Sequence, residues 1–395
     1  MMLNSGRSRS IGTFLLGAFA GVAVLGALSF LSFDLKIPDI KIGATPTATP
    51  APTPTPLRAK PHLEAAALLE ADGKLEEAVA EYLQATEAEP NSFDAYLGWA
   101  RILTYRRDPA EAIKKAQKAA QLSPNSAEVY SLLAVASDWS NDPEQALTYA
   151  RKAIELNPKL AEAHAHMAEA YADKYKLAEA DEEIKKAIDL NSNDVAVIRV
   201  NAYIHEMRTQ YKDASREYAR ALELAPNRPY LHLLYGNALK AAGDCNSAIL
   251  RYQQAFQLDP KDPRGPASIG GCYYSSESYD KAEQHLKTAV ELDPTYASAL
   301  GQLALVYYAQ KRHANAIPYF QRAIEQEKSP SKVASYRHAL GWSFLSEKRY
   351  QEASDEFTKA LQLDPKLQGA QDGLEAVKKA EAQKTPTAAL KGPTR

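Results

Sequence analysis

Histidine and cysteine are the side chains through which this chain could ligate a metal or attack a substrate, and it holds eight histidines and two cysteines. His164 and His166 form a His-x-His pair. On a helix, two residues apart point to different faces, and no cluster of acids and cysteines completes a metal site around them. Cys245 and Cys272 are too few for a disulfide framework and lack the paired spacing of a zinc site. A bridge between them is compatible with the sequence; a small buried thiol at each position is the commoner arrangement. Neither common glycine-rich phosphate loop occurs, nor a Gly-x-Ser-x-Gly nucleophile turn. The expectation is a protein that is not an enzyme and carries no cofactor and no metal.

The elements that would position these residues repeat. Pro90, Pro124, Pro158, Pro226, Pro260 and Pro294 recur at intervals of 34 residues or twice that, with Ser192 standing where the missing proline would fall. With units starting at 59, 93, 127, 161, 195, 229, 263 and 297, the eighth position is always small: Ala66, Ala100, Ala134, Ala168, Ala202, Gly236, Gly270 and Ala304. The twentieth and twenty-seventh positions are alanine in every unit, from Ala78 and Ala85 to Ala316 and Ala323. A ninth unit starts at Ala334 after three extra residues and places Gly341, Ala353, Ala360 and Pro365 in the same register. Small residues at fixed helical positions let two antiparallel helices pack closely, and large apolar residues between them, such as Leu133, Tyr171 and Tyr307, fill the remaining space. His62, His164 and His232 all fall at the fourth position of their units, which makes them packing residues rather than ligands.

This pattern closely resembles the tetratricopeptide repeat (TPR) family over residues 59 to 365. The resemblance implies an all-α, right-handed superhelical solenoid of about nine helix-turn-helix units: 59–92, 93–126, 127–160, 161–194, 195–228, 229–262, 263–296, 297–333 and 334–367. Ala116 and Ala150 depart from the bulky residue expected at the twenty-fourth position, and Pro318 predicts a kink in the second helix of the eighth unit. Residues 368–383 read as a solvating capping helix, and 384–395 as a disordered tail.

The resemblance also implies that partners bind the inner surface, lined by positions two, five, nine, twelve and thirteen of each first helix. Those positions give an acidic segment, Glu128, Asp138, Glu162, Glu169 and Asp173, suited to a basic partner segment. Aromatic contact area follows from Tyr105, Trp139, Tyr203, Tyr274, Tyr308 and Trp342, with Asn237, Lys240 and Arg264 beside them. Charge reversal of Glu162, Glu169 and Asp173 to Lys is expected to abolish basic-partner binding and leave the fold intact.

Residues 11–33 carry no charge and as a helix would extend about 35 Å, enough to cross a membrane; the rival is a cleavable signal peptide, whose apolar region should be about half this length and end at a small-residue site. Residues 1–10 hold Arg7 and Arg9 and no acid, which favours a cytoplasmic N-terminus and an extracytoplasmic repeat domain. Gly17 and Gly21 form a small-xxx-small pair that would let two such helices approach, so a homo-oligomer is one expectation. Residues 34–58 form a juxtamembrane and Pro/Thr-rich linker that prefers extended geometry. A net charge of -2 with interspersed signs argues against nucleic acid as a partner. The resulting expectation is a single-pass, membrane-tethered scaffold that binds a protein or peptide. The alternative is an accessory subunit that recruits substrate to a separate envelope enzyme, such as a glycosyltransferase or peptidoglycan-processing complex.

Overall fold

A computed structural model of the chain describes residues 59–106 and 108–384. All of them belong to one compact unit, Pro56–Arg395. The segments 1–10, 11–33 and 34–58 and the tail beyond Lys384 lie outside the described residues, as does the expected membrane helix. Among the described residues no helix is long and apolar enough to cross a membrane.

The described residues form nineteen helices and no strand. They pair as α1 (Ala59–Ala71) with α2 (Leu75–Ala88), α3 (Phe93–Tyr105) with α4 (Pro109–Leu122), and α5 (Ala127–Trp139) with α6 (Pro143–Leu156). Next come α7 (Ala161–Asp173) with α8 (Leu177–Leu190), α9 (Val195–Met207) with α10 (Tyr211–Leu224), and α11 (Pro229–Ala241) with α12 (Cys245–Leu258). The series ends with α13 (Arg264–Ser275) and α14 (Tyr279–Leu292), α15 (Ala297–Ala309) and α16 (His313–Gln326), α17 (Pro330–Ser346) and α18 (Tyr350–Leu363), and a closing α19 (Gln368–Lys384). Aspartates at the start of α4, α6, α9 and α12 accept hydrogen bonds from backbone N–H groups of the first turn, satisfying donors the helix cannot. The three extra residues before the ninth unit add a turn to α17 rather than a loop. Pro318 sits inside α16, which runs continuously from His313 to Gln326.

The alanines at positions eight, twenty and twenty-seven are buried completely or almost so. Where position eight is glycine, the facing residue of the second helix occupies the space: a methyl on Gly236 would meet the Tyr252 ring at 2.5 Å, and one on Gly341 would meet Phe357 at 2.7 Å. In eight of the nine pairs the turn contains a left-handed residue at position fifteen, Gly73 and Gly243 in two units and Asn141, Tyr175, Thr209, Glu277, Lys311 and Lys348 in six. His62 and His164 bond to Glu81 and Glu183 on the second helices of their pairs, both at 2.7 Å, and Arg337 reaches Glu356 in the same register at 2.6 Å. His232 bonds to the Pro226 carbonyl oxygen. All three position-four histidines therefore serve packing.

The stack also closes on itself. Arg228 donates to Glu70 at 2.8 Å, Arg106 forks onto Asp259 at 2.8 and 3.2 Å, and Lys261 reaches Glu76 at 2.6 Å. Asn227 donates to the Ala71 carbonyl at 3.2 Å, and the Tyr105 and Tyr230 rings stack at 4.3 Å. Glu70, 3% exposed, accepts from Arg101 as well. Burial alone would raise its pKa, but the hydrogen bonds and charges of Arg101 and Arg228 outweigh that and hold the carboxyl below its ordinary value. Units one and two thus meet the turns around residues 227–264, and the first helices between them surround a central space. Replacing Arg106 and Arg228 together with Ala removes the cations at both main contacts. Small-angle scattering should then report a larger radius of gyration with helix content kept, and an unchanged radius would show that these pairs do not hold the turn closed.

Candidate binding chamber

The first helices α5, α7, α9, α11 and α13 surround a cavity of about 400 Å³. Seven of the residues expected on the inner track line it: Asp138, Trp139, Glu169, Asp173, Tyr203, Asn237 and Arg264. Arg199, Tyr218, Tyr230 and Tyr296 complete much of the wall.

Several of these groups are already committed within the chain. Arg199 is 2% exposed and grips Glu169, 4% exposed, through two bonds of 2.6 Å. Trp139 Nε1 donates to the same carboxylate at 3.0 Å, and the Arg199 guanidinium lies 5.2 Å from the Trp139 ring centre. Burial pushes the Glu169 pKa up, but the Arg199 charge and hydrogen bonds more than reverse this and keep Glu169 ionised. Tyr203 donates its hydroxyl to Asp173. Arg264 is held by Asp262 at 2.8 Å and donates to the Tyr105 carbonyl at 3.2 Å, so its charge is balanced locally. Asn237 accepts from the Tyr252 hydroxyl at 2.9 Å.

This corrects one expectation. Glu169 is half of a buried ion pair rather than a groove charge waiting for a partner, so its reversal to Lys would leave Arg199 facing a second cation in the interior. Nor does Glu162 add a full charge at neutral pH, since burial and the nearby Asp194 push its pKa up to about 7. Glu128 is exposed and accepts from Ser126 at 2.7 Å.

The remaining track residues fall away from the cavity wall. Tyr105 packs its ring between Trp139, 5.8 Å away, and Tyr230. Lys240 lies over Gly271, where an added methyl would sit 3.0 Å from Nζ. Tyr274 packs on Tyr279, Tyr308 on His313 and Phe320, and Trp342 on Phe357 with its Nε1 bonded to His338 at 2.9 Å. His166 turns to Ser131 at 2.9 Å while His164 turns to Glu183, two different faces of α7. Burial and the Arg199 charge lower the His166 pKa to about 4, which keeps it neutral. Both cysteines are free thiols, Cys272 buried and Cys245 partly so.

Asp138 differs from its neighbours. It is 3% exposed, and neither carboxylate oxygen has a hydrogen-bond partner among the described residues. Burial first, then the charges of Glu169 and Asp173, push its pKa up to about 9 against the opposing pull of Arg199. Arg199, Tyr218, Tyr230 and Tyr296 are lining residues that the inner-track reading missed. For Arg199 a signal was present: it stands at position five, where Leu63, Leu97, Ser131, Ala165, Leu233, Ala267 and Gly301 are apolar or small and only His338 of the ninth unit is also basic.

These two carboxylates predict opposite behaviour. An acid whose pKa is higher folded than unfolded costs stability above its unfolded value, about 3.9 for Asp, and that cost grows until pH reaches the folded value of about 9. Asp138→Asn should therefore raise the melting temperature, and by more near pH 8 than near pH 5. Glu169→Gln should lower it, by about 3–5 kcal/mol of stability if Arg199 is left buried without its counter-charge. Thermal unfolding of the two variants across this range checks both signs, and an equal Asp138→Asn gain at both ends would contradict the assigned shift.

Tetratricopeptide repeat models match residues 63–127, 127–160 and 295–366, and a model described as TPR repeat matches 270–311. No curated protein matches the chain. Among solved structures, the chain is similar to the crystal structure of the APC/C hetero-tetramer Cut9-Hcn1, with 16% identity, 81% of this chain and 67% of that chain covered, and a TM-score of 0.62. A structure from the functional characterization of Pseudomonas aeruginosa pilF shares 21% identity over 50% of this chain and 89% of that chain, with a TM-score of 0.42. Repeats of this kind generally mediate protein-protein interactions, and the fold is typically a non-catalytic scaffold. The matched segments, 63–160 and 270–366, therefore carry tetratricopeptide repeats, and the helix pairs between them share the same fold.

Proposed function

We propose that this chain is a non-catalytic, membrane-tethered scaffold that takes a protein or peptide partner with a basic segment into the chamber on its inner face. The observation that carries this reading is the cavity itself, about 400 Å³ with three carboxylates and several aromatic rings in its wall. A concave site with rigid aromatic area and a few fixed polar groups suits a side chain or short segment of a partner. The structural likeness to a protein crystallised as the Cut9-Hcn1 assembly is in keeping with such a role. The uncharged run 11–33 behind Arg7 and Arg9 would tether the domain, and the Pro/Thr-rich segment would hold it off the membrane on an extended spacer.

Photoreactive groups placed at Trp139, Tyr203 and Trp342 separate the chamber from the rest of the inner track. Crosslinking in native membranes should capture one protein from Trp139 and Tyr203, and capture from Trp342 alone would move the binding surface out of the chamber. Recovery of the protein in a soluble fraction, with an N-terminus near Leu35, would remove the tether from the reading.

A further inference from the structure

Seven carboxylates are buried among the described residues: Glu70, Asp138, Glu169, Glu183, Asp259, Asp262 and Glu356. Six of them have a basic partner within the chain. Glu70 has Arg101 and Arg228, Glu169 has Arg199, Asp259 has Arg106 and Asp262 has Arg264. Glu356 has Arg337 and Lys359, and Glu183 has His164 and Lys186. Asp138 alone has none, although it lines the cavity and both its oxygens are buried and without hydrogen bonds.

Resting on the reading of the chamber as a partner site, we infer that Asp138 is the acceptor for an arginine side chain supplied by the bound partner. A carboxylate with two unmet oxygens side by side matches the two parallel N–H donors of a guanidinium, a fork that a lysine ammonium does not offer. Asp173 stands near enough to raise the Asp138 pKa, and it adds negative potential where the cation would arrive. Glu169 and Arg199, paired at 2.6 Å, act on Asp138 in opposite directions and largely cancel. Trp139, Tyr203 and Tyr230 make the same wall aromatic, a surface suited to a flat, weakly hydrated cation. The chain already shows this solution inside the chamber, where Arg199 lies over Trp139 and forks onto Glu169. A partner arginine on Asp138 would repeat it one unit earlier.

Titration calorimetry with the full chain and the capped tripeptide acetyl-Gly-Arg-Gly-amide tests this, with the lysine and citrulline tripeptides and agmatine as comparators. The arginine peptide should bind saturably, the lysine peptide several-fold more weakly and the uncharged citrulline peptide not measurably. Asp138→Asn should weaken the arginine peptide at least tenfold while leaving the helical circular dichroism signal unchanged. Binding of the proton-bearing carboxyl to a cation should also release a proton near neutral pH, seen as a dependence of the heat on buffer ionisation enthalpy. Equal binding of the citrulline peptide, which needs no variant to fold, or undiminished binding to Asp138→Asn would overturn the inference. Binding of agmatine but not the tripeptide would assign the site to free guanidines and overturn the peptide source. A partner crosslinked equally well from wild-type and Asp138→Asn chambers would sink the arginine assignment and keep the partner reading, whereas no capture at Trp139 or Tyr203 would sink the partner reading itself.

Discussion

A carboxylate removed from water on the inner face of this stack needs a cation, and the placement of those cations organises the molecule. Glu70 is the clearest case. Its two oxygens take Arg101 from the neighbouring unit and Arg228 from a distant one, so one desolvated charge joins consecutive repeats and closes the turn. Tyr82 adds its hydroxyl at 3.2 Å to the same group. The closing contacts also reach the chamber, because Tyr105 stacks on Tyr230 and its carbonyl accepts from Arg264, two residues of the chamber wall.

Within that frame, stability and binding make opposing demands. The charges of Glu169 and Arg199 are paired internally and serve as part of the wall. Asp138, on the preceding unit, is equally buried yet unsatisfied, and its environment resists ionisation. A group kept neutral by its surroundings can respond to an arriving cation by giving up its proton, which turns a cost in the free protein into affinity in the complex.

Much of the fold was legible in the sequence because close helix packing writes itself as small residues at fixed intervals. Ala78, Ala85 and their counterparts recur in every unit, and prolines such as Pro90 and Pro124 mark where the second helices stop. The position-four histidines were readable for the same reason, since His62, His164 and His232 occupy a packing register. The site was only half legible. Inner-track positions identify residues that face the axis, and seven of them do line the cavity. They do not reveal which charges cancel, because Arg199 meeting Glu169, or Arg264 meeting Asp262, depends on how successive units rotate. Closure was invisible for a related reason: Arg106 and Asp259 are 153 residues apart, and no local pattern links them.

The closing contacts also give the first six units a fixed count. Each repeat adds an increment of rotation, and Arg228 meets Glu70 only after a set number of increments. Loss or duplication of one 34-residue unit among them would carry the arginine past its acceptor and leave Glu70 without its second cation. Units added after Arg264 would disturb none of these pairs. Repeat number is thus tied to a geometric constraint at one end of this array that is absent at the other, where an added unit would meet none of the closing pairs.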